Sequence, residues 1–244
     1  MKTVIIPDVH HRVAAVDTIL SFEKPDRTIF LGDWFDDFND HCGHSAATAN
    51  WLVRRMESNS RDIFLWGNHD LAYAFPSGET INEGHTYLKE AVIREIVRRQ
   101  HWERFKWYHY ENNWLFSHGG LSRYHVGNIA NIPGWLAGQA KQADFAVRGS
   151  KLHWFYRPGY RSGDYVDEGG LIWSRPRQFR PVSGLNQMFG HTPCNEPLLI
   201  EKGDHIDYDF VGENYCIDTH MRHYAVFDGS AVTIKAIESL APRQ

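Results

Sequence analysis

Short apolar runs that end in polar residues recur along the first half of the chain. They cover residues 3–6, 28–31, 63–66 and 114–116, and each passes directly into a segment rich in Asp, Asn, His or Gly. Runs of this length with β-branched and aromatic residues are typical of buried strands. The pattern therefore predicts four buried strands whose ends carry polar side chains.

Segments with a helical spacing of apolar residues lie between these runs. Residues 12–22 and 45–56 carry apolar side chains at intervals of three and four, which predicts amphipathic helices. A single long helix is expected from about Thr86 to Lys106. Alternation of strands and helices implies right-handed crossovers and a largely parallel sheet. In such sheets ligands bind at the carboxyl ends of the strands, where all four polar segments lie.

The second half of the chain follows a different pattern. Residues 121–174 are irregular and rich in aromatic side chains such as Trp135 and Trp154. We expect a cap or an active-site rim there, with ordinary core packing by large aromatics as the alternative. Asp228 and Gly229 form a hairpin signal, so the C-terminal part is expected to be antiparallel. The prediction is a single domain over residues 1–244 with an insertion around 121–174.

Composition narrows the class of protein. Of the 244 residues, 42% are hydrophobic and 23% are charged, which is typical of a soluble globular domain. The formal net charge of −4 argues against long nucleic acid as a partner. Three widely spaced cysteines argue against a disulfide framework or a cysteine zinc site. No apolar run is long enough to cross a bilayer, so we expect a cytoplasmic protein without a membrane partner.

The polar segments contain residue types that bind metals. Asp8 and His10 are two apart, and residues at this spacing share a face of extended backbone, so a carboxylate and an imidazole can converge on one cation. Asp33 follows Gly32, whose freedom lets the backbone turn the carboxylate inward. Two more aspartates follow within four residues of Asp33. Three carboxylates this close together repel one another unless a cation or a protonated histidine offsets their charge. The alternative interpretation is an exposed acidic turn.

The remaining segments add an amide and three histidines. The carbonyl oxygen of Asn68 can bind a divalent ion without adding charge, and the adjacent His69 can donate a proton to a leaving oxygen. Taken singly, His118 and His191 are better explained as ordinary core or loop histidines. Together, five such segments are hard to ascribe to coincidence. In chain order they read Asp-x-His at 8–10, Gly-Asp-x-x-Asp at 32–36, Gly-Asn-His-Asp at 67–70, Ser-His-Gly-Gly at 117–120 and Gly-His-Thr at 190–192.

This ordered series resembles the calcineurin-like metallophosphoesterases. The resemblance runs from Asp8 to His191, with an echo at residues 217–219. It is nearest the branch that includes the phosphoprotein phosphatases and the bacterial diadenosine tetraphosphatases. The features that support this branch are Ser-His-Gly-Gly-Leu at 117–121, Leu-Ile-Trp-Ser-Arg-Pro at 171–176 and Phe-Gly-His-Thr-Pro at 189–193. The implied fold is α/β, a four-layer α/β/β/α sandwich with mixed sheets and an aromatic-rich cap insertion.

The resemblance also implies roles for individual residues. The implied metal ligands are Asp8 and His10 for a first ion, Asp33 as a bridge, and Asn68, His118 and His191 for a second ion. His69 would be the general acid, and Asp36 would orient it and favour its charged form.

Two positions depart from the family pattern. The branch usually has Asp-Arg-Gly at the end of its second motif, where the arginine grips phosphate, whereas Asp37 follows Asp36 here. The fourth residue of the Asn-His motif is Asp70 rather than glutamate. The first departure removes a phosphate contact, so Arg175 or Arg180 is a candidate substrate-binding residue. Exposed charges on a loop are the alternative for both arginines.

The predicted activity is two-metal-dependent hydrolysis of phosphate monoesters or nucleotide phosphates by metal-bound hydroxide. Nitrogen and oxygen donors without thiolate suit two divalent metal ions, with Mn²⁺ favoured and Fe, Zn²⁺ or Mg²⁺ as alternatives. The partner would be a small phosphate ester, a nucleotide or a phosphoprotein. Three other activities stay open: a phosphodiesterase or nucleic-acid end-processing phosphatase, a Ser/Thr protein phosphatase, and an inactive metal-binding scaffold.

Overall fold

The computed structural model describes residues 1–162, 165–200 and 211–240 and has an α/β architecture. Its α-helices are α1 (Val13–Glu23), α2 (Cys42–Ser58), α3 (Asn68–Ala74), α4 (Tyr87–Ile96), α5 (Arg99–Trp102), α6 (Arg123–Val126) and α7 (Ile132–Arg148). Its strands are β1 (Thr3–Ile6), β2 (Arg27–Phe30), β3 (Ile63–Leu65), β4 (Phe105–Lys106), β5 (Tyr108–Glu111), β6 (Trp114–Ser117), β7 (Tyr160–Ser162), β8 (Tyr165–Asp167), β9 (Asn186–Phe189), β10 (Leu198–Leu199), β11 (Asn214–Cys216), β12 (His223–Phe227) and β13 (Val232–Ala236). Short 3-10 helices cover Trp154–Tyr156 and Ile237–Leu240.

Six strands form the first sheet, in the order β13-β12-β1-β2-β3-β4. The strands from β1 to β4 run parallel, with Ile5 opposite Ile29 and Phe30 opposite Phe64. β12 pairs antiparallel with β1, and β13 pairs antiparallel with β12. The alternation of strands and helices in the sequence predicted the parallel part. The carboxyl ends of β1, β2 and β3 therefore lie side by side.

Five strands form the second sheet, in the order β10-β11-β9-β6-β5. β9 pairs parallel with both β6 and β11, whereas β5 and β10 are antiparallel edge strands. The ends of β6 and β9, which lead into His118 and His191, therefore point the same way. β7 and β8 form an antiparallel pair of their own.

Side-chain alternation divides the core into layers. Ile5 of the first sheet shares a buried cluster with Phe116 of the second, so this cluster lies between the sheets. Val4 points to the opposite side and belongs to a cluster that includes Leu52 of α2. Leu115, on the other face of β6, belongs with buried side chains of α7. Helices thus cover the outer faces of two stacked sheets, which confirms the four-layer α/β/β/α fold.

The prediction of one long helix over residues 86–106 is wrong. The chain forms α4, then breaks before α5, and ends in β4. The backbone N–H of Arg98 donates to Nδ1 of His101 at 3.0 Å, which starts a new helical turn. Trp102 then stacks on Trp66, with ring centroids 5.7 Å apart. The break allows this aromatic contact, so tertiary packing overrides the local helical pattern.

The segment at 121–174 is more regular than its sequence suggested. It contains the 17-residue helix α7, which begins where the side chain of Asn131 accepts a hydrogen bond from the N–H of Gly134. Phe155 and Tyr156 are buried in the main core cluster, so part of the aromatic content is ordinary core packing. The role of this segment as a cap or active-site rim stays a prediction, as does the division of the chain into one domain with an insertion.

The C-terminal strands only partly follow the antiparallel prediction. The carboxylate of Asp228 accepts hydrogen bonds from the N–H groups of Ser230 and Ala231, at 2.8 and 2.9 Å, and closes the β12–β13 hairpin. β11, however, pairs parallel with β9 because the chain returns to the second sheet before this hairpin. Within the described ranges, none of the helices has the length and apolar character needed to cross a membrane.

Candidate metal centre

Loops meet at the carboxyl ends of β1, β2, β3, β6 and β9. The N–H groups of Val9 and His10 both donate to the carbonyl oxygen of Asp33, at 3.0 and 2.8 Å, so the first two loops are joined. His10 and Asp33 have left-handed backbone, with φ of 40° and 50°. Because β1 ends at Ile6, Asp8 and His10 converge through a tight turn. The expectation that they share a face of extended strand is therefore wrong.

Two groups of side chains are close enough to share a cation. Donor atoms of Asp8, His10 and Asp33 lie within 4.8 Å of one another, and so do donor atoms of Asp33, His118 and His191. Asp33 belongs to both groups. Asp8, Asp33 and His118 are buried, so water competes little for them.

Asn68 lies against the second group. Its Oδ1 is 3.0 Å from Nε2 of His118 and 2.8 Å from Nδ1 of His191. Asn68 is the first residue of α3, and its side chain is buried. One amide oxygen in contact with two imidazole nitrogens brings three possible ligand atoms to one point. All six residues predicted as ligands therefore lie in one cluster, which we call the ligand cluster: Asp8, His10, Asp33, Asn68, His118 and His191.

Backbone carbonyl groups orient two of these imidazoles. Nδ1 of His118 donates to the carbonyl oxygen of Leu31 at 3.0 Å, and Nε2 lies 3.2 Å from Oδ2 of Asp33. Nδ1 of His10 lies 3.1 Å from the carbonyl oxygen of Phe35, and Nε2 lies 3.8 Å from Oδ2 of Asp33. A ring that donates from one nitrogen to a carbonyl presents its other nitrogen to a metal. Both rings thus have the orientation that metal-binding imidazoles have in proteins.

The ligand cluster concentrates charge in a buried space. Burial raises the pKa of Asp8 well above its usual value, and the charge of Asp218 raises it further. Burial acts the same way on Asp33, but His118 and His69 outweigh it and lower the pKa of Asp33. Against the effect of burial, Asp33 and Asp8 raise the pKa of His118 to about 10. The carboxylates therefore stabilise positive charge at this position, and a bound cation would use the same field.

The loop after β9 approaches Asp8 closely. The N–H of His191 donates to both carboxylate oxygens of Asp8, at 3.1 and 2.9 Å, and His191 has a positive φ of 68°. A Cβ atom on Gly190 would lie 1.8 Å from Oδ1 of Asp8. Only glycine therefore fits at position 190 with Asp8 in place.

His69 stands beside the ligand cluster. Its Nδ1 lies 2.8 Å from Oδ2 of Asp36, and its backbone N–H donates to Oδ1 of Asp33 at 3.0 Å. The ring centroid is 5.6 Å from that of His10, and the side chain is 22% exposed. Burial opposes the charged ring, yet the charge of Asp33 and the hydrogen bond to Asp36 raise its pKa. His69 therefore lies between solvent and the ligand cluster, with surroundings that favour its protonated ring.

The acidic residues after Asp33 each have a partner of their own. Asp36 is 3% exposed, so the alternative of an exposed acidic turn does not apply to it. Its Oδ1 accepts hydrogen bonds from Tyr73 at 2.5 Å and Lys89 at 2.6 Å. Asp37 pairs with Arg12 at 2.9 Å. Their mutual repulsion is therefore offset locally.

The two candidate arginines differ in their surroundings. Burial lowers the pKa of His191 well below its usual value, and His118 and Arg175 add to this effect, so the charge of Arg175 reaches the ligand cluster. Nε of Arg180 lies 3.2 Å from Oε1 of Glu168. Arg180 is thus held in an ion pair.

Two aspartates near the site, Asp218 and Asp70, were not among the residues predicted to act in it. Asp218 is 1% exposed, and its Oδ2 has no hydrogen-bond partner among the described residues. Its only signal was the echo at 217–219. The carboxylate of Asp70 accepts from the N–H groups of Trp34 and Gly67, at 2.8 and 3.1 Å, and so joins the second and third loops.

The donor set fits divalent cations. Carboxylate oxygens, an amide oxygen and imidazole nitrogens suit first-row divalent metals, and none of the six residues is a cysteine. The buried oxygen of Asp218 adds negative charge close to Asp8, and a cation would offset it.

Comparison with protein families identifies the class. The family model for calcineurin-like phosphoesterases matches residues 1–195 of this sequence. Since this covers most of the sequence, the chain belongs to that family and is a hydrolase of the metallophosphoesterase type. The family uses divalent metals, in agreement with the donor groups at this site.

Solved structures share the fold. A point mutant of a cold-active protein tyrosine phosphatase superposes with a TM-score of 0.62 at 13% identity, over 97% of this chain and 78% of that chain. The cold-active protein tyrosine phosphatase of the psychrophile Shewanella sp. gives a TM-score of 0.58 at 13% identity, with 97% and 78% covered. At this identity the likeness shows the fold alone. Curated proteins gave no match to this sequence.

Proposed function

We propose that this protein is a two-metal-dependent phosphoesterase that hydrolyses phosphate monoesters or nucleotide phosphates. The observation that carries the proposal is the position of Asp33, whose carboxylate belongs to both donor groups. A carboxylate shared by two adjacent groups suits a bridge between two cations, the arrangement that many phosphate-ester hydrolases use.

The ligand cluster divides naturally between two ions. Asp8 and His10 would hold the first ion, and Asn68, His118 and His191 would hold the second. The hydrogen bonds that orient His10 and His118 support this division, because they turn one nitrogen of each ring toward Asp33. We favour Mn²⁺, with Fe, Zn²⁺ or Mg²⁺ as alternatives that suit the same donors.

The residues of the chain supply a proton and its orientation. Divalent cations at such a site activate water and neutralise charge on the transferred phosphoryl group. His69 donates the proton to the leaving oxygen from Nε2, because Asp36 accepts a hydrogen bond from Nδ1. The carboxylates of Asp33 and Asp36 raise the pKa of His69 against the effect of burial and so favour the protonated ring.

Arg175 is the residue we propose for contact with the substrate phosphate. A guanidinium group can donate two parallel hydrogen bonds to phosphate, and the charge of Arg175 reaches His191. Asp37 stands where the family has an arginine, and it forms an ion pair with Arg12. Arg12 is therefore engaged with Asp37 and is not the cation we propose for the phosphate. Arg180 is the second candidate and would first have to leave Glu168.

Replacement of the shared carboxylate tests the metal centre. Asp33→Asn should nearly abolish turnover of p-nitrophenyl phosphate and reduce the bound metal, because a neutral amide bridges two cations poorly. Metal content would be measured by mass spectrometry after reconstitution with Mn²⁺. Asp26→Asn, at an exposed position, is the matched control and should leave both quantities unchanged. Full metal content in Asp33→Asn would contradict the bridging role.

Replacement of the proton donor tests the chemistry. His69→Ala should keep the metal and slow turnover by about 10²–10⁴-fold, the usual contribution of a general acid. A variant with unchanged turnover would remove His69 from the mechanism.

A substrate panel separates the remaining activities. Faster hydrolysis of p-nitrophenyl phosphate than of bis-p-nitrophenyl phosphate is expected for a monoesterase, and the reverse order would favour a phosphodiesterase. Phosphoserine and phosphothreonine peptides test the protein-phosphatase alternative. Full metal occupancy without turnover of any ester would favour an inactive scaffold.

A further inference from the structure

A buried lysine lies behind the pair formed by His69 and Asp36. The side chain of Lys89, on α4, is 5% exposed, and its Nζ lies 2.6 Å from Oδ1 of Asp36. The same ammonium group lies 3.0 Å from Oδ1 of Asp40. Lysine is rarely buried unless it is paired, and here the partners are the buried carboxylate of Asp36 and the partly buried carboxylate of Asp40. The sequence motifs assign no role to Lys89.

The two oxygens of Asp36 have different partners. Oδ1 accepts from Lys89 and from the hydroxyl group of Tyr73, whereas Oδ2 faces Nδ1 of His69. The carboxylate cannot rotate without breaking the two bonds at Oδ1, so Oδ2 stays directed at the ring. An ionised carboxylate only accepts hydrogen bonds, so Nδ1 of His69 carries a proton and Nε2 faces away from Asp36.

The network continues to the loop that carries the first ligands. Oδ2 of Asp40 lies 3.0 Å from Nε2 of His11, and Nδ1 of His11 lies 2.8 Å from the hydroxyl group of Thr48 on α2. Lys89 thus links α4 to α2 and to the loop that contains His10. The ammonium group that pairs with Asp36 therefore comes from α4.

We propose that Lys89 is a positioning residue for phosphoester hydrolysis: it fixes the carboxylate of Asp36 and, through it, the imidazole of His69. The inference rests on the proposed function, because it takes His69 as the proton donor. The Nζ atom of Lys89 contacts Asp36 and Asp40, neither of which belongs to the ligand cluster, so its effect on His69 passes through Asp36. The hydroxyl group of Tyr73 donates a second hydrogen bond to Oδ1 of Asp36 and so supports the same orientation.

Dependence on the leaving group distinguishes positioning from general destabilisation. In Lys89→Met, kcat for phenyl phosphate should fall about 10–100-fold, because its leaving group needs a proton and the donor is misaligned. With 2,4-dinitrophenyl phosphate, whose leaving group departs as a stable anion, kcat should change less than about twofold. Equal losses on both esters would overturn the proposal.

A matched lysine provides the control. Lys235 also donates to a buried carboxylate, Glu23, at 2.8 Å, but it lies on β13. Lys235→Met should leave both rates unchanged. If Lys89→Met does not fold, the double variant Lys89→Met/Asp40→Asn removes one charge of each sign and is subject to the same two assays.

A double-mutant cycle tests whether Lys89 acts through His69. Added to His69→Ala, Lys89→Met should cause no further loss with phenyl phosphate, whereas additive losses would overturn the proposal. An unimpaired His69→Ala enzyme would be a failure of the proposed function itself. An impaired His69→Ala beside a fully active Lys89→Met would be a failure of this inference alone.

The imidazole can also be observed directly in metal-free protein. With ¹⁵N-labelled histidine, the signals lost in His69→Ala assign the ring of His69. At a pH high enough for the ring to be neutral, the wild type should show the remaining proton on Nδ1, and Lys89→Met should show a mixture of the two tautomers. An unchanged tautomer in Lys89→Met would contradict the positioning role even if its activity fell.

Discussion

Residues of the candidate site adopt backbone conformations that only glycine adopts readily. The φ angles of His10, Asp33, Asp36 and His191 lie between 40° and 68°. Each such residue costs on the order of 1 kcal/mol or more and persists only where its surroundings hold it. The hydrogen bonds from the first loop to the carbonyl oxygen of Asp33 hold His10 and Asp33, and those from the N–H of His191 to Asp8 hold His191. Contacts between loops therefore fix the ligand cluster as firmly as the side chains do.

Close approach at Gly190 gives a prediction at the scale of a single atom. In Gly190→Ala the new Cβ would lie 1.8 Å from Oδ1 of Asp8, so the carboxylate must move. We expect metal affinity to fall about 10–100-fold, as it does when the support of a ligand is lost. Titration calorimetry with Mn²⁺ would measure the change, and circular dichroism would show that the fold is kept.

The control for this substitution is Gly78→Ala, because a Cβ at Gly78 meets nothing within 4 Å. It should bind metal as the wild type does. Wild-type affinity in Gly190→Ala would show that the loop after β9 yields easily, and would contradict the tight packing described for Asp8.

At the scale of elements, the sequence predicted the features that depend on residues adjacent in the chain. The polar ends of β1, β2, β3 and β6 were predicted because an apolar run and its polar tail are adjacent in the chain. The contact between Lys89 and Asp36 spans 53 residues, so no spacing rule reveals it. The break between α4 and α5 depends on the stacking of Trp102 on Trp66, which the helical pattern does not contain. Asp218 was noted only as an echo because its role depends on burial beside Asp8.

The short helix α5 is expected to contribute through one side chain. Trp102 is 7% exposed, and its ring packs near those of Trp66, Phe105 and Phe35, at centroid distances of 5.7, 5.1 and 6.3 Å. Trp102→Ala should lower the free energy of unfolding by about 3–5 kcal/mol, since it leaves a cavity among aromatic rings. Urea unfolding followed by fluorescence would measure it.

A neighbour on the same helix is the control for Trp102. Arg99 is exposed and pairs with Glu103 one turn away at 2.8 Å. Arg99→Ala should change the free energy of unfolding by about 0.5 kcal/mol or less, as exposed pairs usually do. Similar losses in both variants would mean that α5 stabilises the fold through its backbone, contrary to the role given to Trp102.

At the scale of the whole molecule, the ligand cluster exists only when both sheets are assembled. The hydrogen bonds from His191 to Asp8 join residues 183 positions apart and link the second sheet to the first. Asp33 and His118 make a similar link from β2 to β6. The stacking of the sheets, which buries Ile5 against the second sheet, therefore places the ligands. Any interaction that stabilises the first sheet therefore also stabilises the site, even when the interacting residues are far from the ligand residues in the chain.

Glu23 joins the first and last parts of the chain by such an interaction. It lies on α1 and is 4% exposed. Its Oε1 accepts from the hydroxyl group of Tyr224 on β12 at 2.5 Å and from Nζ of Lys235 on β13 at 2.8 Å, and Lys2 pairs with its other oxygen. Burial opposes the charged form, but the hydrogen bonds from Lys2, Lys235 and Tyr224 prevail and lower the pKa of Glu23 to about 2.

This lowered pKa makes the contribution of Glu23 to stability depend on pH. Because the pKa is lower in the folded chain, the stabilisation is complete above the unfolded value of 4.5 and is lost as pH falls toward about 2. Glu23→Gln should therefore cost about 3 kcal/mol at pH 7, and the difference from the wild type should shrink toward zero in acid. Urea unfolding between pH 2 and 7 would measure both curves, with Glu103→Gln, on an exposed pair, as the control. If the difference in free energy of unfolding between the wild type and Glu23→Gln were the same at every pH, the ionised carboxylate would not be its cause. The effect would then come from the packing of the side chain.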